Sequence, residues 1–384
     1  MRIIVCGLIA QYPLGGVAWD YLQYVVGLHR LGHDVYYFED TGNWPFNPAE
    51  DGVSKGCEFN VSYLSRLMER FGLGDRWAYR FPYQDQWFGM AQSLRHEIVE
   101  SADLLFNVSG CLEYPNQYRR SAKLIYIDSD PVFTQLKILK GNGSMVRNLR
   151  QHDVHFSFGE AISNGTSNLP PTEFEWHPTR QPILLDEWAR SPERFGYTTV
   201  MNWTSYKDIE HEGVIYGQKD EQFEAFISLP SAIPELAFQI ALNEGKTRRS
   251  PKVRLRGQGW DVLDPSDVCA DLDSYRDFLA SSRGEWSVAK GGYVTGRSGW
   301  FSCRSACYLA AGRPVVVQST GFEDFVPTGN GVLTFTDFNG ARDAIKRMEM
   351  DYEAHSEAAR HVAETHFASD RVLSEMLERC DAAA

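Results

Sequence analysis

The chain has seven cysteines in 384 residues, Cys6, Cys57, Cys111, Cys269, Cys303, Cys307 and Cys380, and none of them forms a CxxC pair. An odd count with that spacing signals neither a disulfide framework nor a zinc site, and reduced thiols in a cytoplasm are the expectation. Positive charge is also in deficit. The 38 basic against 51 acidic side chains give a formal net charge of -13, which opposes sequence-independent attraction to a nucleic-acid backbone or an anionic membrane and leaves room only for a local basic pocket. No apolar run reaches the roughly 18 residues of a membrane span. The apolar opening Met1–Ala10 runs into patterned sequence without a small-residue cleavage signal, so a mature, soluble, cytoplasmic chain is expected. A nucleophile elbow, a Walker A lysine and a GxGxxG fingerprint are all missing, which weakens hydrolase, NTPase and nicotinamide readings and leaves group transfer. Tandem repeats, low-complexity tracts and coiled-coil heptads are absent as well.

Aromatic residues are plentiful: 18 Tyr, 22 Phe and 10 Trp supply flat amphipathic surfaces, most for the core and some able to stack on a sugar or base. The length predicts two domains with a cleft between them. In the first half, the apolar run Arg2–Leu8 predicts a strand, the Gly15-Gly16 segment a loop, Ala18–Leu31 a helix stopped by Gly32, and Asp34–Phe38 a second strand. Leu104–Val108, Leu124–Ile127 and Val154–Phe158 continue the strand series, with a helical stretch at Val61–Phe71. The pattern breaks near Pro170-Pro171, and Thr172–Arg180 reads as a linker. It then restarts. Strands are predicted at Thr198–Asn202, Ala237–Ala241, Glu285–Val288 and Pro314–Val317, and helices at Glu221–Ile227, Tyr275–Ala280 and Phe301–Ala311. The fold class is therefore α/β, with two doubly wound Rossmann-like domains facing a central cleft: residues 1–175, residues 176–369, and a C-terminal helix in residues 370–384 long enough to reach back to the first domain.

The stretch from Gly291 to Gln318 reads as a glycine-rich loop, a short helix, a tight turn and a buried strand. The first turn of such a helix has N–H groups without intrahelical partners and carries the positive end of the helix dipole, so phosphate oxygens can dock there. Arg297, Ser302, Arg304 and Ser305 lie where they would add side-chain donors, against an alternative in which the helix simply packs and Arg304 is solvated. Thr320 and Gly321, after the next strand, would offer a hydroxyl and an approachable backbone, or merely a turn. Lys207 follows the first strand of the second half and would reach a diphosphate from the strand end. Lys290 ranks below it, because strand alternation would aim it away.

In the first half Gly15 and Gly16 allow another backbone to approach, and Asp20 follows one turn into a helix, as a general base or as a partner of the helix dipole. Asp128 and Asp130, in Asp-Ser-Asp-Pro after a strand, are the other candidate catalytic acids, with a turn as the alternative. The histidines lack metal-ligand spacing, and no metal site is expected.

Together the two doubly wound halves, the Gly15-Gly16 segment, the phosphate motif and Ala310-Ala-Gly-Arg-Pro-Val-Val-Val317 resemble glycosyltransferases of the GT-B fold. The sequence-level match is confined to roughly Lys290–Gly321 and extends diffusely to atypical bacterial members, including CgeB-like spore-coat proteins. The resemblance implies a nucleotide-sugar site in the C-terminal domain and an acceptor site in the N-terminal one. Many retaining members carry two glutamates eight positions apart in this segment. The equivalent positions here are Gly299 and Cys307, so retention of configuration does not follow. The expected activity is transfer of a sugar from a nucleotide diphosphate sugar, a co-substrate rather than a cofactor, to a hydroxyl-bearing acceptor without a metal. A sugar-nucleotide epimerase or hydrolase and a non-catalytic nucleotide-sugar-binding protein are the alternatives. Nucleic acid is disfavoured as acceptor, and base, sugar, acceptor and oligomeric state are left open.

Overall fold

A computed structural model describes every residue except 51, 121, 246, 248, 383 and 384. Its first sheet places eight strands side by side in the order His177–Pro178, Val154–Ser157, Lys123–Asp128, Leu104–Val108, Arg2–Cys6, Asp34–Glu39, Trp77–Phe81 and Gln86–Gly89. All neighbours are parallel except the edge hairpin formed by the last two. Continuous apolar runs such as Ile3-Ile-Val-Cys6 suit strands covered on both faces. Alternate residues divide between the two sides: Ile3, Val5 and Tyr37 pack with the helix Gly15–Arg30, whereas Ile4, Tyr36 and Phe38 pack with the helix Gln92–Ser101.

Six parallel strands form the second sheet, in the order Asp261–Leu263, Phe238–Gly245, Phe195–Thr204, Ser282–Ser287, Val315–Gln318 and Val332–Phe335. Numbered along the chain this is 3-2-1-4-5-6, the doubly wound order whose reversal between strands 1 and 4 opens a crevice at their carboxyl ends. In the first sheet the same reversal lies between Arg2–Cys6 and Leu104–Val108. The mixed α/β architecture with two largely parallel sheets is the expected fold class.

Several predicted boundaries shift. The first helix begins at Gly15 rather than Ala18, so Gly15 and Gly16 are its opening turn and not a loop. It ends at Arg30, and Gly32 follows with φ +87°, a left-handed turn that glycine adopts without steric cost. The first strand stops at Cys6. The expected linker contributes the edge strand His177–Pro178, paired with Val154–Ser157, so the first sheet runs a few residues past 175. Besides that edge strand, Trp77–Phe81, Gln86–Gly89, Asp261–Leu263 and Val332–Phe335 of the two large sheets went unpredicted, as did the small hairpins that pair Phe46–Asn47 with Gly52–Val53 and Ile209–His211 with Val214–Tyr216.

The chain crosses between the sheets twice, and the two crossings pair. Ile183 N–H donates to Phe367 O at 2.7 Å, and Ser369 N–H donates to Ile183 O at 2.9 Å. Beyond that point the helix Ser369–Ala382 lies on Gly15–Arg30 of the first sheet, where a Cβ on Gly27 would come within 2.5 Å of Leu373, and Lys123 Nζ donates to Cys380 O at 2.6 Å. No helix among the described residues is long and apolar enough to cross a membrane.

Candidate functional site

A cleft of about 430 Å³ opens where the carboxyl ends of the two sheets meet. From the first sheet it is lined by Gly16, Val17 and Asp20 of the helix that follows Arg2–Cys6, and by Ser129 after Lys123–Asp128. The second sheet contributes Asn202, Asn243, Lys219, Lys290 and the start of the helix Cys303–Ala310.

Gly299, at φ +76°, turns the chain into that helix so tightly that a Cβ would come within 2.5 Å of Ala161 N. Ser302 is the N-cap residue, in extended backbone, and its side chain makes no capping bond, so this helix start faces the cleft without a side-chain acceptor. Arg304 also reaches the cleft, but it is held. Its Nε donates to Glu285 Oε1 at 2.7 Å, its second terminal nitrogen lies 2.6 Å from the same oxygen, and its first donates to Val200 O. Glu285 is fully buried, so roughly half of the arginine's five donors and most of its charge are committed to the protein. Ser305, 1% exposed, lies behind the helix and its Oγ has no partner, so it does not reach the cleft as expected.

Lys219 and Lys290 bring two amino groups to the same wall. Lys219 opens the helix Lys219–Glu224, which follows a small hairpin of Ile209–His211 and Val214–Tyr216. Burial first, and then the nearby Arg304 and Lys290, push its pKa well below the usual lysine value, against an opposing pull from Glu285. Lys290 is the N-cap of the helix Gly291–Thr295 and so stands outside the strand alternation that seemed to aim it away. Its Nζ donates to Asp130 Oδ1 at 2.8 Å and to Tyr206 OH at 2.7 Å. Asp130 also accepts from Tyr206 OH at 2.5 Å and from Tyr293 OH. Burial works to raise the Asp130 pKa, but Lys290 and the two phenols outweigh it and hold the group below the usual carboxylate range.

The three candidate acids thus separate. Asp130 is saturated by donors from the other sheet and ties the sheets together. Asp128 is 2% exposed and accepts from Thr134 Oγ1 at 2.8 Å, Gln135 Nε2 at 2.9 Å, Ser157 Oγ at 3.1 Å and Asp130 N–H at 3.2 Å. It anchors a turn and does not line the cleft. Asp20 does. Burial raises its pKa from 3.8 to about 7, moderated by the charge of Arg304. It lies beyond the first turn of a helix that starts at Gly15, so the dipole-partner reading falls away.

Of the other expected groups only Gly16 touches the cleft. Gly15 and Gly16 let the helix start press against Asp271 and the ring of Tyr275 in the second domain. Lys207 is an exposed loop residue outside the cleft lining. Arg297, at φ +42°, turns outward and donates to Asp324 at 2.6 Å as a half-exposed surface pair. Its stem packs on Gly321, whose φ of +88° marks a turn, and Thr320 Oγ1 donates to Trp300 O at 2.6 Å. These three shape the loop from behind and not from the cleft side. Among the described residues no group of three or more His, Cys, Asp or Glu side chains converges as a metal site.

Neither a protein-family model nor a curated protein sequence matches the chain. Solved structures do. An alpha-glucosyltransferase in complex with UDP and a 13-mer DNA aligns with a TM-score of 0.62 at 12% identity, over 98% of this chain and 99% of that one. Anabaena HepE in complex with UDP and glucose aligns with a TM-score of 0.61 at 12% identity, over 99% of both chains. Sucrose-phosphate synthase from Thermosynechococcus elongatus gives 0.56 at 11% identity over 100% of both. At such identities the likeness speaks for the fold: this chain has the GT-B fold of glycosyltransferases.

Proposed function

We propose that the chain transfers a glycosyl group from a nucleotide diphosphate sugar to a hydroxyl-bearing acceptor, without a metal ion. The observation that carries this reading is the facing of two sets of groups across one cleft: the amino groups of Lys219 and Lys290 and the edge of Arg304 at an uncapped helix start on one wall, and the carboxyl of Asp20 on the other. In the reaction the bond from the anomeric carbon to the diphosphate oxygen breaks, the acceptor oxygen bonds to that carbon, and the acceptor proton passes to Asp20. A carboxyl group with a pKa near 7 is well matched to accept a proton at neutral pH. Lys219, Lys290, Arg304 and the helix N–H groups take up the charge on the departing diphosphate, the task a metal performs elsewhere. Neighbours of this fold bind UDP, which makes a uridine diphosphate sugar the first donor to try. The net charge of -13 disfavours nucleic acid as acceptor, although one neighbour was solved with DNA.

Thermal denaturation with UDP, GDP, TDP and their sugars tests the donor site, since a ligand at 100 times its dissociation constant stabilises by about 2.7 kcal/mol. At least one nucleotide should raise the midpoint, and Lys219→Met should shrink the rise. Nucleotide release that requires an added alcohol or sugar acceptor marks transfer. Release without acceptor marks a hydrolase, and binding with no turnover marks a non-catalytic protein. Failure of every nucleotide to bind overturns the proposal.

A further inference from the structure

On the side of the first sheet away from the helix Gly15–Arg30, a cavity of about 670 Å³ lies between the helix Gln92–Ser101, the edge hairpin and the end of the strand Asp34–Glu39. Arg95 forms part of its wall and is only 9% exposed. The guanidinium lies over the ring of Trp87, with Cζ 4.1 Å from the ring centroid. No oxygen among the described residues accepts a hydrogen bond from it. Asp40 acts on the charge of Arg95, but its Oδ1 accepts from Arg80 at 3.0 Å and its Oδ2 from Tyr118 OH at 2.8 Å. Arg80 is in turn held by Asp85 at 2.7 Å. Exposed His96 and Arg120 stand on the rim.

The Arg95 side chain is largely buried while its nitrogens open onto the cavity, so a guanidinium that meets no anion among the described residues is presented to whatever enters there. Burial lowers the Arg95 pKa, with Tyr118 and Asp40 pulling weakly the other way, as expected of a cation that lacks its counter-charge. Asp40, Arg80, Asp85 and Tyr118 are bonded to one another, so the partner of Arg95 belongs in the cavity, whose lining includes one further carboxylate, Glu100. The planar fork suits a carboxylate or phosphate gripped through two parallel hydrogen bonds, and the volume is that of a small-molecule site.

We propose that this cavity is a second anion site, separate from the cleft, that takes the carboxylate or phosphate group of a small molecule, with Arg95 as its fork and Arg120 and His96 closing over it. The inference does not depend on glycosyl transfer. Isothermal titration of the full chain with inorganic phosphate and with citrate, at constant ionic strength, tests it and separates the two anion classes. Wild type and Lys219→Met, whose cleft has lost one of its two lysines, should both show saturable binding of at least one probe. Arg95→Gln should weaken that binding by about tenfold or more, and the exposed Arg120→Gln by about threefold. Arg95→Lys keeps the charge and loses the fork, and it should also weaken binding. Absence of saturable binding in wild type, loss of binding only in Lys219→Met, or unchanged affinity in a folded Arg95→Gln overturns the proposal. If Arg95→Gln does not fold, unchanged affinity in both Arg95→Lys and Arg120→Gln overturns it equally.

Discussion

Lys290 Nζ lies 2.8 Å from Asp130 Oδ1, and this bond joins the loop after Lys123–Asp128 of one sheet to the loop after Ser282–Ser287 of the other. The ammonium also sits 4.5 Å from the ring centroid of Tyr206 and 5.2 Å from that of Phe133, so the pair is packed as well as charged. One group of the proposed donor site is thereby also the clasp between the two domains.

Asp130→Asn keeps the shape of that clasp and removes its charge. We expect a loss of about 1 to 3 kcal/mol in urea unfolding at neutral pH, because Lys290 loses its anion. The sign with pH follows from the lowered pKa of Asp130: its contribution is complete above the ordinary carboxylate range and disappears as pH falls through the folded value. The difference between wild type and variant should therefore shrink in acid. A difference that holds constant down to pH of about 2 would show that the charge contributes nothing.

Asp20→Asn separates catalysis from stability. Because the folded pKa is raised from 3.8 to about 7, the folded state holds the proton more tightly than the unfolded one, and wild-type stability declines as pH rises between those values. The variant avoids that loss. It should be the more stable protein above neutrality, by on the order of 1 to 2 kcal/mol after discounting for partial exposure, while turnover falls by about 100-fold or more. Asp128→Ala should do the reverse, with three side-chain donors and a backbone N–H stranded and turnover per folded molecule little changed. Calorimetry across pH together with active-site-normalised rates checks both.

Lys219 makes nucleotide affinity depend on pH. Its pKa is well below the usual value while the cleft is empty, and a bound diphosphate would raise it by supplying the missing anion. Binding then takes up a proton at pH values between the two, and affinity falls as pH rises through that window by up to about tenfold per unit. Titrations in buffers of different ionisation enthalpy would reveal the proton directly. Lys219→Met should bind nucleotide with no such uptake, and uptake that persists in the variant would point to another group.

The helix Cys303–Ala310 and Arg304 were legible because Gly312-Arg-Pro314 punctuates the chain there and the flanking strand is a plain valine run. Lys219 was not, since it lies 15 positions beyond the strand Phe195–Thr204, behind a hairpin whose presence no periodicity announces. Strand alternation misjudged Lys290 because the strand ends at Ser287, before the rule could apply to it. Arg297 was misplaced by a single backbone angle, its positive φ, which turns a donor beside the motif into a surface ion pair. The acids differ for a related reason. Sequence shows three aspartates after strands or in a helix, but only tertiary donors decide which carboxylate is already saturated. The strand Asp261–Leu263 has three residues and Trp77–Phe81 carries a charged Arg80, so neither presents a long apolar run.

The glycines of the first helix supply a last prediction, in which backbone geometry controls the cleft. A Cβ on Gly15 would lie 2.6 Å from Tyr275 Cβ and closer still to Asp271 O. Asp271 caps the helix Leu272–Ala280 through Ser274 N–H at 2.8 Å and has little freedom to retreat. Gly15→Ala must therefore lift one domain off the other, loosening the bond from Trp19 Nε1 to Leu272 O, at 2.9 Å, and moving Asp20 away from Arg304. We expect a cost of about 1 to 3 kcal/mol in stability together with weaker nucleotide binding. Gly32→Ala is the control. Its φ of +87° makes alanine cost about 1 kcal/mol, but nothing lies within 4 Å of the added carbon and the cleft is untouched, so nucleotide affinity should stay at the wild-type value. Equal losses of affinity in the two variants would mean that the cleft responds to general destabilisation and not to the contact between Gly15 and Asp271.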